Sequence, residues 1–222
     1  MTNSKKTFQA DSILFDLDGT LWDSIDGILV TWNRVISKYP GLRPPIDRAE
    51  QKSLMGLQMN EIAERLFPSA SSSCQKALMD ECIEAENQYL SIRGGVLYPN
   101  VESTLTQLRK NHGTYIVSNC QSGYIEAFLK AHKLESLFDG FLCYGDTGNG
   151  KGQNIQAVIQ RYELCAPVYV GDTQGDQTSA AFAGIPFIYA SYGFGSVTRW
   201  DAKIQDFSDL LSILTPESRH GA

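Results

Sequence analysis

Two aspartates, Asp16 and Asp18, follow a short apolar run, Ile13-Leu14-Phe15, and precede Gly19. A run of that length, with β-branched and aromatic members, reads as a buried strand. Side chains two apart on a strand point the same way, so both carboxylates can face one site. The glycine lets the backbone turn away. Two carboxylates held close repel unless a cation joins them or one takes a proton. Mg²⁺ takes hard oxygen ligands and usually bridges protein to phosphate, so it suits such a pair. The plainer reading is an acidic turn after a strand. It gives way only if further groups converge on the same place.

Further groups do follow strand-like runs. Ser118 and Asn119 follow Thr114-Tyr115-Ile116-Val117, and Asp172 follows Pro167-Val168-Tyr169-Val170. Lys151 opens a helical stretch after the strand-like Phe141–Tyr144, and Asp176 lies four residues after Asp172 in a helix's first turn. Ligand sites of open parallel sheets lie at the carboxyl ends of the strands. One sheet edge thus gathers carboxylates, a hydroxyl, an amide and a lysine. That inventory suits phosphoryl transfer, which needs a nucleophile, neutralisation of the phosphate oxygens and a proton for the leaving oxygen. A carboxylate can be the nucleophile, and Mg²⁺, Lys151 and Ser118 with backbone N–H groups can hold charge and oxygens. Each residue also has a plainer role. Ser118 and Asp172 suit helix capping, Thr20 suits a turn, and Asp176 suits a helix start. Lys151 reads as a solvated first-turn lysine, although the helix dipole disfavours a cation there.

The elements that position these groups alternate. Strands near 13–15, 114–117, 141–144, 167–170 and 186–189 are separated by helical stretches 101–111, 123–132, 151–162 and 174–183, with a last helix at 206–214. This is the pattern of a parallel sheet with helices on both faces. Residues 23 to about 93 lack strands and read as helices at 25–36, 47–54 with Asp47 as N-cap, 60–67 and 74–92. The expected fold is therefore α/β, a Rossmann-like parallel sheet core (1–22 and 95–222) with an inserted all-helical cap (23–94). Residues 1–10 read as a loose lead-in, 145–150 as a loose loop carrying Lys151, and 215–222 as a polar tail.

Composition narrows the classes. A chain of 222 residues with 42% hydrophobic content fits one large domain or a domain with an insertion. A net charge of −6 argues against nucleic acid or an anionic membrane as partner. No apolar run reaches the roughly 18 residues of a membrane span, and no signal peptide is evident. The five cysteines are scattered without CxxC spacing, so reduced thiols in a cytoplasmic protein are expected. His112, His132 and His220 fall away from the expected site loops and read as surface positions. Trp22, Trp32 and Tyr39 read as core or cap packing.

The motifs in order are Asp16-Leu17-Asp18-Gly19-Thr20-Leu21, then Ser118-Asn119, Lys151, and Gly171-Asp172-Thr173-Gln174-Gly175-Asp176. Together they resemble the haloacid dehalogenase-like phosphohydrolase superfamily. The helical insertion resembles the C1 cap of the phosphoglycolate phosphatase and β-phosphoglucomutase-like branch. Thr20–Ser24 and Tyr192-Gly193-Phe194-Gly195 resemble its phosphoglycolate phosphatase side. The resemblance implies Mg²⁺-dependent hydrolysis of a small phosphorylated metabolite through an aspartyl-phosphate. It makes Asp16 the nucleophile, Asp18 the general acid and then base, and Thr20 an orienter of Asp18. Ser118 and Asn119 hold the phosphoryl group and Lys151 offsets charge. Asp16, the Asp18 backbone carbonyl and Asp172 hold the metal, with Asp176 as ligand or close neighbour. The turn Met55–Asn60 resembles the cap's substrate loop, but Met59 stands where phosphomutases carry an arginine, and the early cap lacks their histidine. A sugar phosphomutase is thus the weaker alternative. A haloacid dehalogenase would not need Asp18 or the acid pair, and a receiver domain would be shorter and uncapped. A non-catalytic binding protein on this fold is a further alternative, although it would not need Asp16, Asp18, Lys151 and Asp172 together. The substrate and the oligomeric state are left open.

Overall fold

The computed structural model describes residues 7–216. The chain begins with β1 (Phe8–Ala10), β2 (Ser12–Phe15) and β3 (Trp22–Asp23). Four helices follow: α1 (Ile25–Ile36), α2 (Arg48–Leu54), α3 (Met59–Leu66) and α4 (Ser72–Arg93). The chain then returns through β4 (Val96–Leu97), α5 (Val101–Leu108), β5 (Gly113–Ser118), α6 (Tyr124–His132), β6 (Gly140–Cys143), α7 (Tyr144–Thr147) and α8 (Lys151–Arg161). It ends with β7 (Pro167–Gly171), α9 (Gln174–Ala183), β8 (Phe187–Ala190), β9 (Ala202–Ile204), α10 (Leu210–Ile213) and β10 (Leu214–Pro216).

Six strands form one parallel sheet in the order β6-β5-β2-β7-β8-β9. The chain runs from β2 out to one side, then crosses back to build the other. β2 therefore lies at the point where the strand order reverses, which is where such sheets open a crevice for ligands. Alternation along β2 explains the two core layers. Ile13 and Phe15 enter one apolar cluster, with Leu105, Phe128 and Phe207, whereas Leu14 enters the other, with Ile155, Val158 and Phe187.

The helices α1–α4 have an apolar cluster of their own, built on Ile28, Trp32, Val35, Leu54, Ile62 and Leu78. They are inserted between β3 and β4, which pair antiparallel through Trp22–Leu97 and Asp23–Val96. The fold is thus a parallel α/β core with an all-helical cap. Trp22 fixes the departure point. It is fully buried, with its ring 5.6, 5.0 and 5.6 Å from those of Tyr124, Phe128 and His132. Asp47 caps α2 as expected, accepting from the Glu50 N–H at 2.8 Å.

Several local expectations need correction. Residues 8–10 are not loose: they form β1, which pairs in parallel with β10 at Leu214–Pro216, where a polar tail is expected. The rest of that tail lies outside the described residues. Tyr144 leaves β6 and opens the one-turn α7, so the segment before Lys151 is partly helical. The 206–214 helix shrinks to a 3₁₀ turn, Phe207–Asp209, and α10. His112 is buried, with its Nδ1 3.0 Å from the Leu108 carbonyl, and His132 packs against Trp22; His220 lies outside the described residues. Trp32 is buried in the cap, but Tyr39 is exposed. All five cysteines are free thiols. Among the described residues no helix is long and apolar enough to cross a membrane.

Candidate active site

The carboxyl end of the central strands carries the site. β2 ends at Phe15, and Asp16 continues its pairing, donating its N–H to the Val170 carbonyl at 2.8 Å. Asp172 follows β7 and Ser118 ends β5, one on each side of β2. Lys151 opens α8 and reaches this edge from above. Its Nζ lies 2.8 Å from Asp16 Oδ1 and 2.6 Å from Asp176 Oδ1, with all three side chains buried. The cation that a helix dipole disfavours is therefore held by two carboxylates.

Asp176 does more than start a helix. Its Oδ2 accepts from the N–H groups of Asp172 at 3.2 Å and Thr173 at 2.9 Å, and from the Thr173 hydroxyl at 2.7 Å. Thr173 returns a capping bond to the Asp176 N–H. Both oxygens of Asp176 are thereby used. Asp172 Oδ2 accepts from the N–H groups of Phe194 at 2.6 Å and Gly195 at 3.2 Å, but its buried Oδ1 has no hydrogen-bond partner. Gly193 allows that approach: a Cβ there would sit 2.3 Å from the Gly19 carbonyl oxygen and 2.5 Å from Asp172 Oδ2. Gly19, at φ +80°, faces the same carboxylate, so the two glycines let both loops close on Asp172.

Asp18 lies in a separate environment. Ser24 Oγ and Tyr124 OH are 2.6 and 2.9 Å from its Oδ1 and 2.8 Å from each other. Ser24 donates to Asp18, while the single Tyr124 proton is shared between the carboxylate and the serine. The expected contact from Thr20 is absent. Its hydroxyl is buried without a partner, while its N–H donates to the Leu17 carbonyl at 3.3 Å and its carbonyl accepts from Tyr192 OH at 2.9 Å. Ser24 and Tyr124 are the hydroxyl partners of Asp18 instead.

Burial dominates the electrostatics. It pushes Asp16 up to about 7, with the Asp176 charge adding to the effect and Lys151 opposing it. Burial also raises Asp18 to about 6, opposed by its bonds from Ser24 and Tyr124. Asp172 is raised well above the carboxylate range by burial, then by Asp176 and Asp16. Burial alone would discharge Lys151, but the charges of Asp16 and Asp176 outweigh it and keep the ammonium. One lysine therefore faces an excess of negative charge.

That excess fits a dication. Asp16, Asp172 and Asp176 place one carboxylate oxygen each within 4.8 Å of one another. All three are buried, and the orphaned Asp172 Oδ1 is a hard donor without a partner. An all-carboxylate set suits Mg²⁺ rather than a soft metal. The Asp18 side chain is not in this cluster, so only its backbone carbonyl is a candidate from that residue.

Asp16 and Asp18 also floor a cavity of about 40 Å³ that the cap roofs. Ser118, Asn119 and Gln121 enter from the core, and Trp32, Gln51, Met59 and Glu86 from the cap. Asn119 Nδ2 donates to the Gly56 carbonyl at 3.0 Å, and Asn87 Nδ2 to that of Ser122 at 2.9 Å, so core and cap are bonded shut across it. Tyr124, Gln51, Gln121 and Glu86 escape a reading by strand-end motifs because they sit on helices and their approaches. A signal for Glu86 does exist: it lies midway between Cys82 and Leu90 on the buried stripe of α4.

The chain is similar to known proteins along most of its length. The haloacid dehalogenase-like hydrolase family model matches residues 13–190. A phosphoglycolate phosphatase of Pasteurella multocida is 27% identical over 225 residues, covering 90% of this chain and 96% of that protein. A phosphoglycolate phosphatase of Rhodobacter capsulatus is 30% identical over 217 residues, covering 92% and 97%. The crystal structure of a predicted phosphoglycolate phosphatase from Haemophilus somnus 129PT superposes with a TM-score of 0.83 at 22% identity, over 92% of this chain and 98% of that one.

Proposed function

The chain belongs to the haloacid dehalogenase-like hydrolase family, and from that premise we propose that it is a Mg²⁺-dependent phosphohydrolase of small phosphate monoesters. The curated relatives, named phosphoglycolate phosphatases over nearly their whole length, support the phosphatase class. The observation that carries the reading is the buried Asp16 carboxylate, held by Lys151 at 2.8 Å beside Asp172 and Asp176.

In this reading one Asp16 oxygen attacks phosphorus and the bond to the ester oxygen breaks. The leaving alcohol takes a proton from Asp18, and an aspartyl-phosphate remains on Asp16. Asp18 then accepts a proton from water as that water attacks phosphorus, freeing Asp16 and releasing phosphate. Ser24 and Tyr124 converge on Oδ1 of Asp18, which leaves Oδ2 to carry the travelling proton. Lys151 holds Asp16 in place and offsets charge on the phosphoryl group, and Ser118 and Asn119 bind its oxygens. Mg²⁺ would be held by Asp16, Asp172 and the Asp18 carbonyl, with Asp176 beside it, and would neutralise charge between carboxylate and phosphate.

The cap meets the core at the β3–β4 crossing. Closure limits water while the phosphoenzyme forms, and opening admits substrate. In this reading the enzyme is cytoplasmic and acts on a phosphorylated metabolite.

The test is phosphate release from a panel of monoesters with Mg²⁺, with EDTA, and with Asp16→Asn. Release that needs Mg²⁺ and disappears in the variant is expected. Equal release by wild type and variant would remove Asp16 as nucleophile.

A further inference from the structure

The cavity between cap and core has a polarity of its own. Three side-chain oxygens among its lining residues are buried without a hydrogen-bond partner: Gln51 Oε1, Asn119 Oδ1 and Gln121 Oε1. Gln51 is 1% exposed and Gln121 is 5% exposed, so both lie away from bulk solvent. Beside them lies the carboxyl of Glu86, 1% exposed, with its Oε2 accepting from Trp32 Nε1 at 2.7 Å. The three amide oxygens are acceptors in search of donors. Among the described residues that line the cavity there is no lysine, arginine or histidine. Lys151 is engaged by Asp16 and Asp176, Arg43 by Glu50, and Arg48 by Asp23 and Asp26.

We propose that this cavity selects the alcohol part of the ester, taking a small, uncharged, hydroxyl-bearing group of about three carbons and rejecting one that carries a carboxylate. The inference rests on the phosphohydrolase reading and narrows its substrate. A hydroxyl donates to an unpartnered amide oxygen and relieves its desolvation. A carboxylate brings only acceptors to a place that already holds three unpartnered amide oxygens, and burying it without a cation is strongly unfavourable. The cavity is only about 40 Å³, and the phosphoryl group held at Asp16 and Ser118 takes part of it, so the alcohol part must be small. The same lining opposes a second phosphate on the substrate. Met59 lines the cavity from the start of α3, and it offers no charge. The class of substrate is therefore a polyol monophosphate of the glycerol phosphate kind, although the curated relatives are named for a carboxylate-bearing ester.

Two measurements decide it. The first compares kcat/KM for glycerol 3-phosphate and 2-phosphoglycolate with Mg²⁺, with acetyl phosphate as a control whose leaving group needs no proton. Glycerol 3-phosphate is expected to lead 2-phosphoglycolate by at least about 100-fold, below the roughly 10⁴-fold that a site fully built around a substrate hydroxyl reaches. Gln51→Leu should shrink that ratio about tenfold, and Gln51→Lys should shift it towards 2-phosphoglycolate. Equal or reversed preference in the wild type, or a ratio unmoved in both variants, overturns the proposal. The second measures calorimetric binding of the two esters to the Mg²⁺-loaded Asp16→Asn protein. If no ester, acetyl phosphate included, is turned over, the phosphatase reading fails; tighter binding of glycerol 3-phosphate would still uphold the cavity's selectivity. Tighter binding of 2-phosphoglycolate, or binding of neither ester, overturns it.

Discussion

Lys151 Nζ lies 2.6 Å from Asp176 Oδ1, closer than its 2.8 Å to Asp16. One ammonium thus spans the nucleophile candidate and the residue that orders the Asp172 loop. Removing it leaves buried carboxylates facing one another without a cation. Lys151→Met is expected to lower stability in EDTA by about 3–5 kcal/mol, the usual cost of breaking a buried pair. Mg²⁺ should restore more of the melting temperature in the variant than in the wild type, because the dication takes over part of the missing charge. Equal melting temperatures in EDTA would show that Lys151 does not hold these groups together.

Asp172 offers the metal an oxygen that nothing else uses. Asp172→Asn keeps the size but removes the charge. It is expected to weaken Mg²⁺ binding by at least about tenfold, read as the metal-induced shift in melting temperature. Asp18→Asn is the comparison. The Asp18 side chain belongs to the Ser24–Tyr124 cluster, so this variant should lose phosphate release while keeping the Mg²⁺ shift. A shift lost equally in both would refute the separation of metal and proton roles.

Gly193 is a packing requirement of the same carboxylate. In Gly193→Ala the new Cβ meets the Gly19 carbonyl and the Asp172 side chain at 2.3–2.5 Å. The loop must move, and the Phe194 and Gly195 N–H groups move with it. The variant is expected to lose about 1–3 kcal/mol of stability and most of its activity. Gly148→Ala is the control: at φ +69° it strains the backbone but meets nothing within 4 Å. It should cost about 1 kcal/mol and leave turnover intact. Full activity in Gly193→Ala would show that the loop can hold Asp172 from another position.

The parts of this molecule that are legible in its sequence lie at strand ends. Asp16, Ser118, Asn119 and Asp172 can be placed because each follows an apolar run, and parallel sheets put those ends on one edge. Lys151 and Asp176 follow from helix starts on the same edge. The cap is legible because four helical patterns stand where no strand fits. Other features have no local signal. β1 and β10 are three residues each, too short for alternation, and their pairing joins opposite ends of the chain. Tyr124 meets Asp18 across 106 positions, from a helix whose own pattern explains its burial. Ser24, six residues beyond Asp18, is its hydroxyl partner where Thr20 is expected, and no local pattern marks that choice. The unpartnered oxygens of Gln51 and Gln121 depend on how the cap closes, which is a tertiary property.

Glu86 supplies a pH dependence of stability that can be isolated from the site carboxylates. Burial pushes it up to about 8, opposed by its bonds from Trp32 and Gln121, while the charge of Asp18 raises it further. The other titratable groups turned towards it are Tyr124 and the Cys82 thiol, both themselves raised mainly by burial. Between the ordinary value of 4.5 and about 8, the folded protein keeps a proton that the unfolded chain has released. Folding then binds protons, so stability falls as pH rises through that window; below it the group imposes no penalty. Glu86→Gln removes the titration and keeps an oxygen for the Trp32 N–H. Shifts at Asp16, Asp18 and Asp172 occur in both proteins and largely cancel in the difference. The variant should gain on the wild type as pH rises from 5 to 8, by a few kcal/mol, or on the order of 10 °C in melting temperature. A melting-temperature difference that stays constant across this range would show that Glu86 does not hold its proton in the folded cap.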